Sequence, residues 1–301
     1  MTKQIDLSGF KHLYPFESHY LDLNGLKYHY LDEGKGDPIV MLHGNPTWSF
    51  YYRSLVNALS GEYRTIVPDH IGCGLSDKPN DSIYDYRLKN RVDDLEKLLE
   101  HSGIDNNITL IVHDWGGMIG MAYALRHPER IARLVISNTA GFFTPNDKGI
   151  PLRLWLIRHI VPFAVPAVLG CNLFAFSALY MASSKKLSKD VKAGLTAPYN
   201  SWGNRIATLK FVQDIPVKES DPSYELVDSV QANLHKLSNI PKLFCWGEND
   251  FVFTMDFFKE WKRRFPDSEF HTFPEAGHYL LEDVPEKIAP LVKDFLRNHP
   301  I

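Results

Sequence analysis

Ten residues, 108–117 (ITLIVHDWGG), restrict this chain more than any other stretch. Ile108, Leu110, Ile111 and Val112 make a short, largely β-branched apolar run, as in a strand covered on both faces. Gly116 and Gly117 follow at once, and 118–126 then reads as a helix. Small residues just after a polar residue at a strand–helix junction have the spacing of a nucleophile elbow. In such an elbow a tight turn lifts one side chain above the carboxyl end of a sheet. The side chain on this corner is Asp114. A carboxylate is ionised at neutral pH, its reference pKa being about 4, and can attack carbon directly to form an ester. The plainer alternative is an Asp that caps the helix after it.

The rest of the chain extends this strand–helix unit in both directions. Residues 20–30 alternate around Asn24-Gly25, a hairpin turn signal. Residues 38–42 form a buried strand that ends in His43-Gly44-Asn45-Pro46, and 49–59 is helical. A short strand at 65–68 follows, then a helix over 84–101 with Leu88, Val92, Leu95 and Leu99 on one face and Gly103 ending it. Strands are also expected at 134–137, 243–246 and 269–273, with a helix at 255–265. Asp283 and Glu286 read as a capping box around Pro285 for the last helix. Strands alternating with helices predict an α/β fold with a mostly parallel sheet and helices on both faces.

The alternation stops between about Gly141 and Val217. Residues 151–159 and 202–211 have helical patterns and no strand is expected. An insertion there belongs over the carboxyl edge of the sheet, where open α/β sheets bind ligands. The expected division is core 1–141, helical cap 142–216 and core 217–301. Within the cap, 160–182 carries no charged residue. This is an oily stretch suited to lining a channel for alkyl chains, although plain packing on the sheet would also explain it. Its length nears that of a membrane span, but Pro162, Pro166, Gly170 and Asn172 interrupt it.

Composition narrows the function classes. With 44% hydrophobic residues the chain can bury a full core, and a net charge of −3 with both signs interspersed suggests no nucleic-acid surface. Cys73, Cys171 and Cys245 are an odd set without metal-type spacing, which points to reduced thiols and a cytoplasmic protein. The first eleven residues are too polar for a secretory signal. No metal or cofactor motif is present, so none is expected. The partner expected is an apolar small molecule. Association with other pathway enzymes or a membrane surface, and the oligomeric state, stay open.

Three polar stations fall at strand ends: Asp114, Asp250 in 244–250 (FCWGEND), and His278 in 274–278 (PEAGH). Nucleophile, acid, histidine is the chain order of the α/β-hydrolase triad. In that reading Asp114 attacks, His278 handles the proton of water, and Asp250 orients His278 and stabilises its charged form. Asn45 and Trp115 add backbone N–H donors beside the elbow, and their side-chain amide and indole could hold a leaving anion or a carboxylate. A turn Asn and a packing Trp are the plainer readings.

These segments, 43–48 (HGNPTW), 113–117 (HDWGG), 246–250 (WGEND) and Gly277-His278, resemble the haloalkane dehalogenases over nearly the whole chain. The resemblance implies an α/β-hydrolase fold, nucleophile Asp114, halide pair Asn45 and Trp115, acid Asp250 and base His278. One dehalogenase subgroup carries its acid after the preceding strand; here 137–140 (SNTA) has no carboxylate. Epoxide hydrolases share the Asp elbow and use two cap tyrosines, for which Tyr180 and Tyr199 are candidates, but Asn45 argues against them. Segments 68–79 (PDHIGCGLSDKP), 91–94 (RVDD) and 113–120 (HDWGGMIG) resemble more closely the β-lactone decarboxylases of bacterial long-chain olefin synthesis. That resemblance implies decarboxylation of a long-chain β-lactone to an alkene, with hydrolysis of a carbon–halogen bond as the alternative. A ligand receptor without turnover would not need an acid, a base and a nucleophile together.

Overall fold

The Asn24-Gly25 signal is a two-residue turn with both φ angles positive, 56° and 86°. That is the type I′ geometry whose twist suits a hairpin, and it joins β1 (His19–Leu23) to β2 (Leu26–Glu33). The structure, a computed structural model, describes residues 5–147 and 149–301. From there the chain alternates. β3 (Pro38–Leu42), α1 (Arg53–Leu59) and β4 (Arg64–Pro68) precede α2 (Leu88–His101), β5 (Ile108–Asp114), α3 (Trp115–Arg126) and β6 (Ile131–Thr139). Among the described residues, six α-helices follow before the next strand: α4 (Leu152–His159), α5 (Val161–Ala164), α6 (Leu173–Met181), α7 (Lys189–Thr196), α8 (Ile206–Gln213) and α9 (Tyr224–Asn233). Then come β7 (Lys242–Gly247), α10 (Met255–Arg264), β8 (Glu269–Phe273), α11 (Leu280–Asp283) and α12 (Pro285–Asn298).

The eight strands form one sheet in the order β1-β2-β4-β3-β5-β6-β7-β8. β2 runs antiparallel to both of its neighbours, and every other pairing is parallel. Strand alternation divides the core into two layers. Val40, Leu42, Leu110 and Val112 face a cluster with Leu95, Ile119 and Trp261, from α2, α3 and α10. Ile39, Met41 and Ile111 face the opposite cluster with Val56, Val292 and Phe295, from α1 and α12. This is the doubly covered sheet that the apolar strand runs require, and it places the carboxyl ends of β3, β5, β6 and β7 along one edge.

Two expectations are corrected. The helix of 84–101 starts only at Leu88, because Arg87 is extended. Tyr84 and Tyr86 instead anchor the preceding loop through their hydroxyls, to Asp94 and the Pro79 carbonyl. The cap of α2 comes from far away, since the Leu88 N–H donates to the Asp214 carboxylate at 2.8 Å. Asp283 does not cap α12, whose N-cap is Val284 with no side-chain bond. Its carboxylate accepts from the N–H groups of Ser184, Lys185 and Gly277, tying the loop after α6 to the loop that carries His278.

Among the described residues, no strand lies between β6 and β7. The oily stretch forms α5, a π-type turn at Val165–Gly170 and α6, broken at Asn172, which is left-handed. Among those residues no single helix is long and apolar enough to cross a membrane.

Candidate active site

β5 ends on Asp114 at φ 52° and ψ −128°, with α3 starting at the next residue. A non-glycine residue in that region costs about 1–3 kcal/mol and persists only where its surroundings hold it. The surroundings are visible. The Thr139 hydroxyl donates to the Asp114 carbonyl from the end of β6. On the other side Gly44 is obligatory, because a Cβ there would overlap the Asp114 carboxylate.

The turn points the carboxylate into a ring of donors. The Asn45 backbone N–H donates to Asp114 Oδ1 at 2.6 Å, and the Trp115 backbone N–H adds a second bond. His278 Nε2 lies 3.6 Å from Asp114 Oδ2. Burial pushes the Asp114 pKa up, and the His278 charge and the two N–H donors only partly oppose it. His278 is also fully enclosed, which disfavours its charged form. Asp250 and Asp114 outweigh that penalty, and the His278 pKa is raised. The raised His278 pKa favours the imidazolium, whereas the raised Asp114 pKa works against the carboxylate.

Asp250 stands behind His278, its Oδ2 accepting from Nδ1 at 2.7 Å. The backbone N–H groups of Val252 (2.7 Å) and Phe253 (3.1 Å) fix its other oxygen. Asn138 Nδ2 donates to Oδ2 at 3.0 Å, while the Asn138 amide is itself clamped to the Gly247 backbone. The His278 ring is further set by Phe253, stacked at 5.9 Å, and its carbonyl accepts from His113 Nε2 at 2.8 Å.

The structure thus gathers Asp114, His278 and Asp250 in one chain of contacts. Asn45 and Trp115 flank it, but not as a matched pair of free donors. Asn45 Nδ2 donates to the Thr208 carbonyl of α8 at 3.0 Å, which anchors this side chain to the segment above. The Trp115 indole N–H has no hydrogen-bond partner among the described residues, and Trp115 lines the cavity over Asp114. Behind the indole, Phe211 packs at 5.3 Å, and the buried Arg91 guanidinium lies 3.6 Å from the Phe211 ring. Tyr180 and Tyr199 do not converge on Asp114: Tyr180 is 71% exposed, and Tyr199 is fully buried with its hydroxyl on the Thr47 carbonyl.

Asn138, Thr139, Phe253 and the Arg91–Phe211 stack were missed in the sequence reading. Asn138 left a signal there, as an amide at a strand end where one dehalogenase subgroup carries its acid, and Arg91 did as the first residue of the 91–94 segment.

The cavity above Asp114 measures about 810 Å³. Asn45, Asp114, Trp115 and His278 form its floor, and its walls include Phe142, Phe163, Leu173 and Phe174. Its size lies in the upper part of the range of small-molecule sites. Such a chamber can take a long apolar molecule and present one electrophilic carbon to a carboxylate.

Comparison with known proteins agrees with this fold. Residues 37–285 match the family model described as the alpha/beta hydrolase fold. A cis-3-alkyl-4-alkyloxetan-2-one decarboxylase of Shewanella oneidensis is 52% identical over 94% of this chain and 89% of its own length. One from Xanthomonas campestris pv. campestris is 42% identical over 96% and 98%. Haloalkane dehalogenase 2 of Mycobacterium bovis is 30% identical over 96% and 98%. A solved haloalkane dehalogenase from Bradyrhizobium elkani superposes with a TM-score of 0.85, at 24% identity over 94% of this chain and 98% of that one, and shares the fold. The chain belongs to the α/β-hydrolase fold family, and within it to the group of haloalkane dehalogenases and their β-lactone decarboxylase relatives.

Proposed function

We propose that this enzyme decarboxylates cis-3,4-dialkyl β-lactones to alkenes, with Asp114 as nucleophile, His278 and Asp250 completing a triad, and residues 142–216 as the cap. The observation that carries this reading is the large apolar chamber ending on the Asp114 carboxylate. The names and identity of the two decarboxylase relatives supply the ring chemistry. The three free cysteines fit a cytoplasmic enzyme.

The steps balance without a co-reactant. An Asp114 oxygen attacks the ring carbon that bears the ring oxygen, with inversion. The C–O bond breaks, its electron pair stays on the oxygen, and the ring opens to a carboxylate. The Trp115 indole N–H holds that developing anion, joined by the Asn45 amide hydrogen that is not given to Thr208. In the second step the carboxylate leaves as CO2. The electron pair of the broken C–C bond becomes the alkene π bond and expels Asp114 as a free carboxylate. The His278 imidazolium, held charged by Asp250, stabilises the departing carboxylate. Inversion followed by anti elimination converts a cis lactone into a cis alkene.

The second reading is haloalkane hydrolysis, favoured by the Trp115 indole N–H, which has no partner among the described residues, and by the dehalogenase relatives. There Asp114 displaces halide, and water activated by His278 cleaves the ester. Separate incubations with a long-chain cis-β-lactone and a 1-haloalkane, followed by gas chromatography, distinguish them. Faster alkene formation from the lactone supports the proposal. Faster alcohol and halide formation from the haloalkane overturns it.

A further inference from the structure

The outer surface of the 142–216 segment differs from the rest of the molecule in two independent ways. The first is apolar exposure. Of the fourteen exposed large hydrophobic side chains among the described residues, nine fall in this quarter of the chain. They include Leu152 (71% exposed), Phe163 (44%), Leu173 (50%), Phe176 (49%) and Trp155 (41%). α4 and α6, which bear most of them, are adjacent, since Arg153 of α4 reaches Met181 Sδ of α6 at 3.2 Å. Leu152, Phe163 and Leu173 are both exposed and part of the chamber wall, so the apolar surface is continuous with the lining of the active-site cavity. Contiguous apolar surface of this kind marks an interaction site.

The second is charge. Residues 142–216 carry nine Lys and Arg against three Asp, a net of +6, whereas the whole chain is −3, which leaves −9 for the remainder. Lys186 and Lys189 lie exposed in and just after the loop that follows α6, without an ion pair among the described residues. Lys192 sits over the exposed Tyr180 ring at 4.3 Å. An oily face with exposed Trp and Tyr beside lysines, on an otherwise acidic protein, is complementary to an anionic lipid surface. The acidic remainder would orient the molecule with this face toward the bilayer.

We propose that the cap docks on an anionic membrane surface, so that the mouth of the chamber opens against the lipid phase. The consequence for substrate rests on the function proposed above. A β-lactone with two alkyl chains partitions into lipid, and a docked mouth would receive it without passage through water. The alkene, equally apolar, would return the same way.

The test is flotation of the full-length protein with vesicles of phosphatidylcholine alone and of phosphatidylcholine mixed with phosphatidylglycerol. No substrate is present, so the outcome is independent of the alkene assay. Binding is expected on the mixed vesicles, weak binding on the neutral ones, and release by added salt. Lys186→Gln/Lys189→Gln removes two cations, each worth roughly fivefold at such a surface, and should weaken binding about 30-fold. Trp155→Ser/Phe176→Ser, at exposed positions outside the chamber wall, should weaken binding to mixed vesicles while leaving the folded structure and turnover of a detergent-dispersed substrate unchanged. Absence of flotation on both vesicle types at low salt overturns the proposal. So does binding that neither double variant alters, or a dimer seated on this face, seen as a mass change that Trp155→Ser/Phe176→Ser abolishes.

Discussion

Asp250→Asn is a sharper perturbation than its size suggests, because the amide cannot choose its orientation. Oδ1 of Asp250 accepts the N–H groups of Val252 and Phe253, so the amide oxygen must remain there. The NH2 then occupies the place of Oδ2, where it meets two donors, His278 Nδ1–H and Asn138 Nδ2. His278 resolves the conflict by giving up its Nδ1 proton and taking the Nε2–H tautomer. It is then neutral while facing Asp114, and the imidazolium that would stabilise the departing carboxylate is lost.

Loss of an orienting carboxylate in a triad costs on the order of 10⁴ in rate, or roughly 5 kcal/mol of barrier, and that loss is expected here. The pH dependence supplies a second readout. The His278 pKa is raised in the folded enzyme, so the charged form is complete well below that raised value and disappears as pH climbs through it. In the variant, burial acts without Asp250 to oppose it, and the alkaline fall in kcat/KM should move to lower pH. The assay is alkene formation by gas chromatography across a pH series, with a melting curve to show that the fold is kept. Near-normal activity, or an unmoved alkaline limb, would refute the reasoning. Glu248, the nearest acid in sequence, is exposed and should not substitute.

Asp114→Ala should abolish turnover with circular dichroism unchanged; retained activity would remove Asp114 from the mechanism. His278→Phe treated with a 1-haloalkane should accumulate an alkyl ester on Asp114, seen by peptide mass spectrometry. An adduct on the exposed Cys171 instead would count against the nucleophile, whereas Cys73 and Cys245 are buried with thiol pKa values pushed up to about 12 and should stay inert. Phe174→Lys places an ammonium in the chamber wall. Each methylene that can no longer be buried costs about 0.8 kcal/mol, roughly fourfold in kcat/KM, so the penalty should grow along a chain-length series. A loss equal at all lengths would make this stretch simple packing. Leu179→Lys should behave differently, since Leu179 is a core residue only 5% exposed, and it should lower the melting temperature.

What the sequence made legible was local. The Asn24-Gly25 turn, the apolar runs of β3 and β5 and the Gly pair after Asp114 carry their structure in neighbouring residues. The five proposed site residues fall at strand ends for the same reason. The misreadings share one cause, which is a polar group spent on a distant partner. Leu88 starts α2 because Asp214, 126 residues away, accepts its N–H. Asp283 has the spacing of a cap but gives its carboxylate to the loops at 184–185 and 277. The Asn45 amide, expected to hold a leaving anion, also donates to the Thr208 carbonyl, a tie that no local pattern shows. Asn138 is the clearest case. Its importance is the geometry by which it pins Asp250, and no spacing rule brings 138, 247 and 250 together.

The two candidate chemistries part only after Asp114 has become an ester. In an ester made from a haloalkane, the neighbouring carbon carries no group that can expel the aspartate. The ester must wait for water, which His278 has to activate in a chamber whose walls are largely apolar. In an ester made from a β-lactone, the neighbouring carbon bears the carboxylate that ring opening has just released. Its loss as CO2 drives Asp114 out from within the molecule, and water is not consumed. The first route therefore depends on water reaching a chamber with largely apolar walls, and the second does not. At 3.6 Å from Asp114, a charge on His278 acts through space on the departing carboxylate, a role that needs no proton transfer between the two.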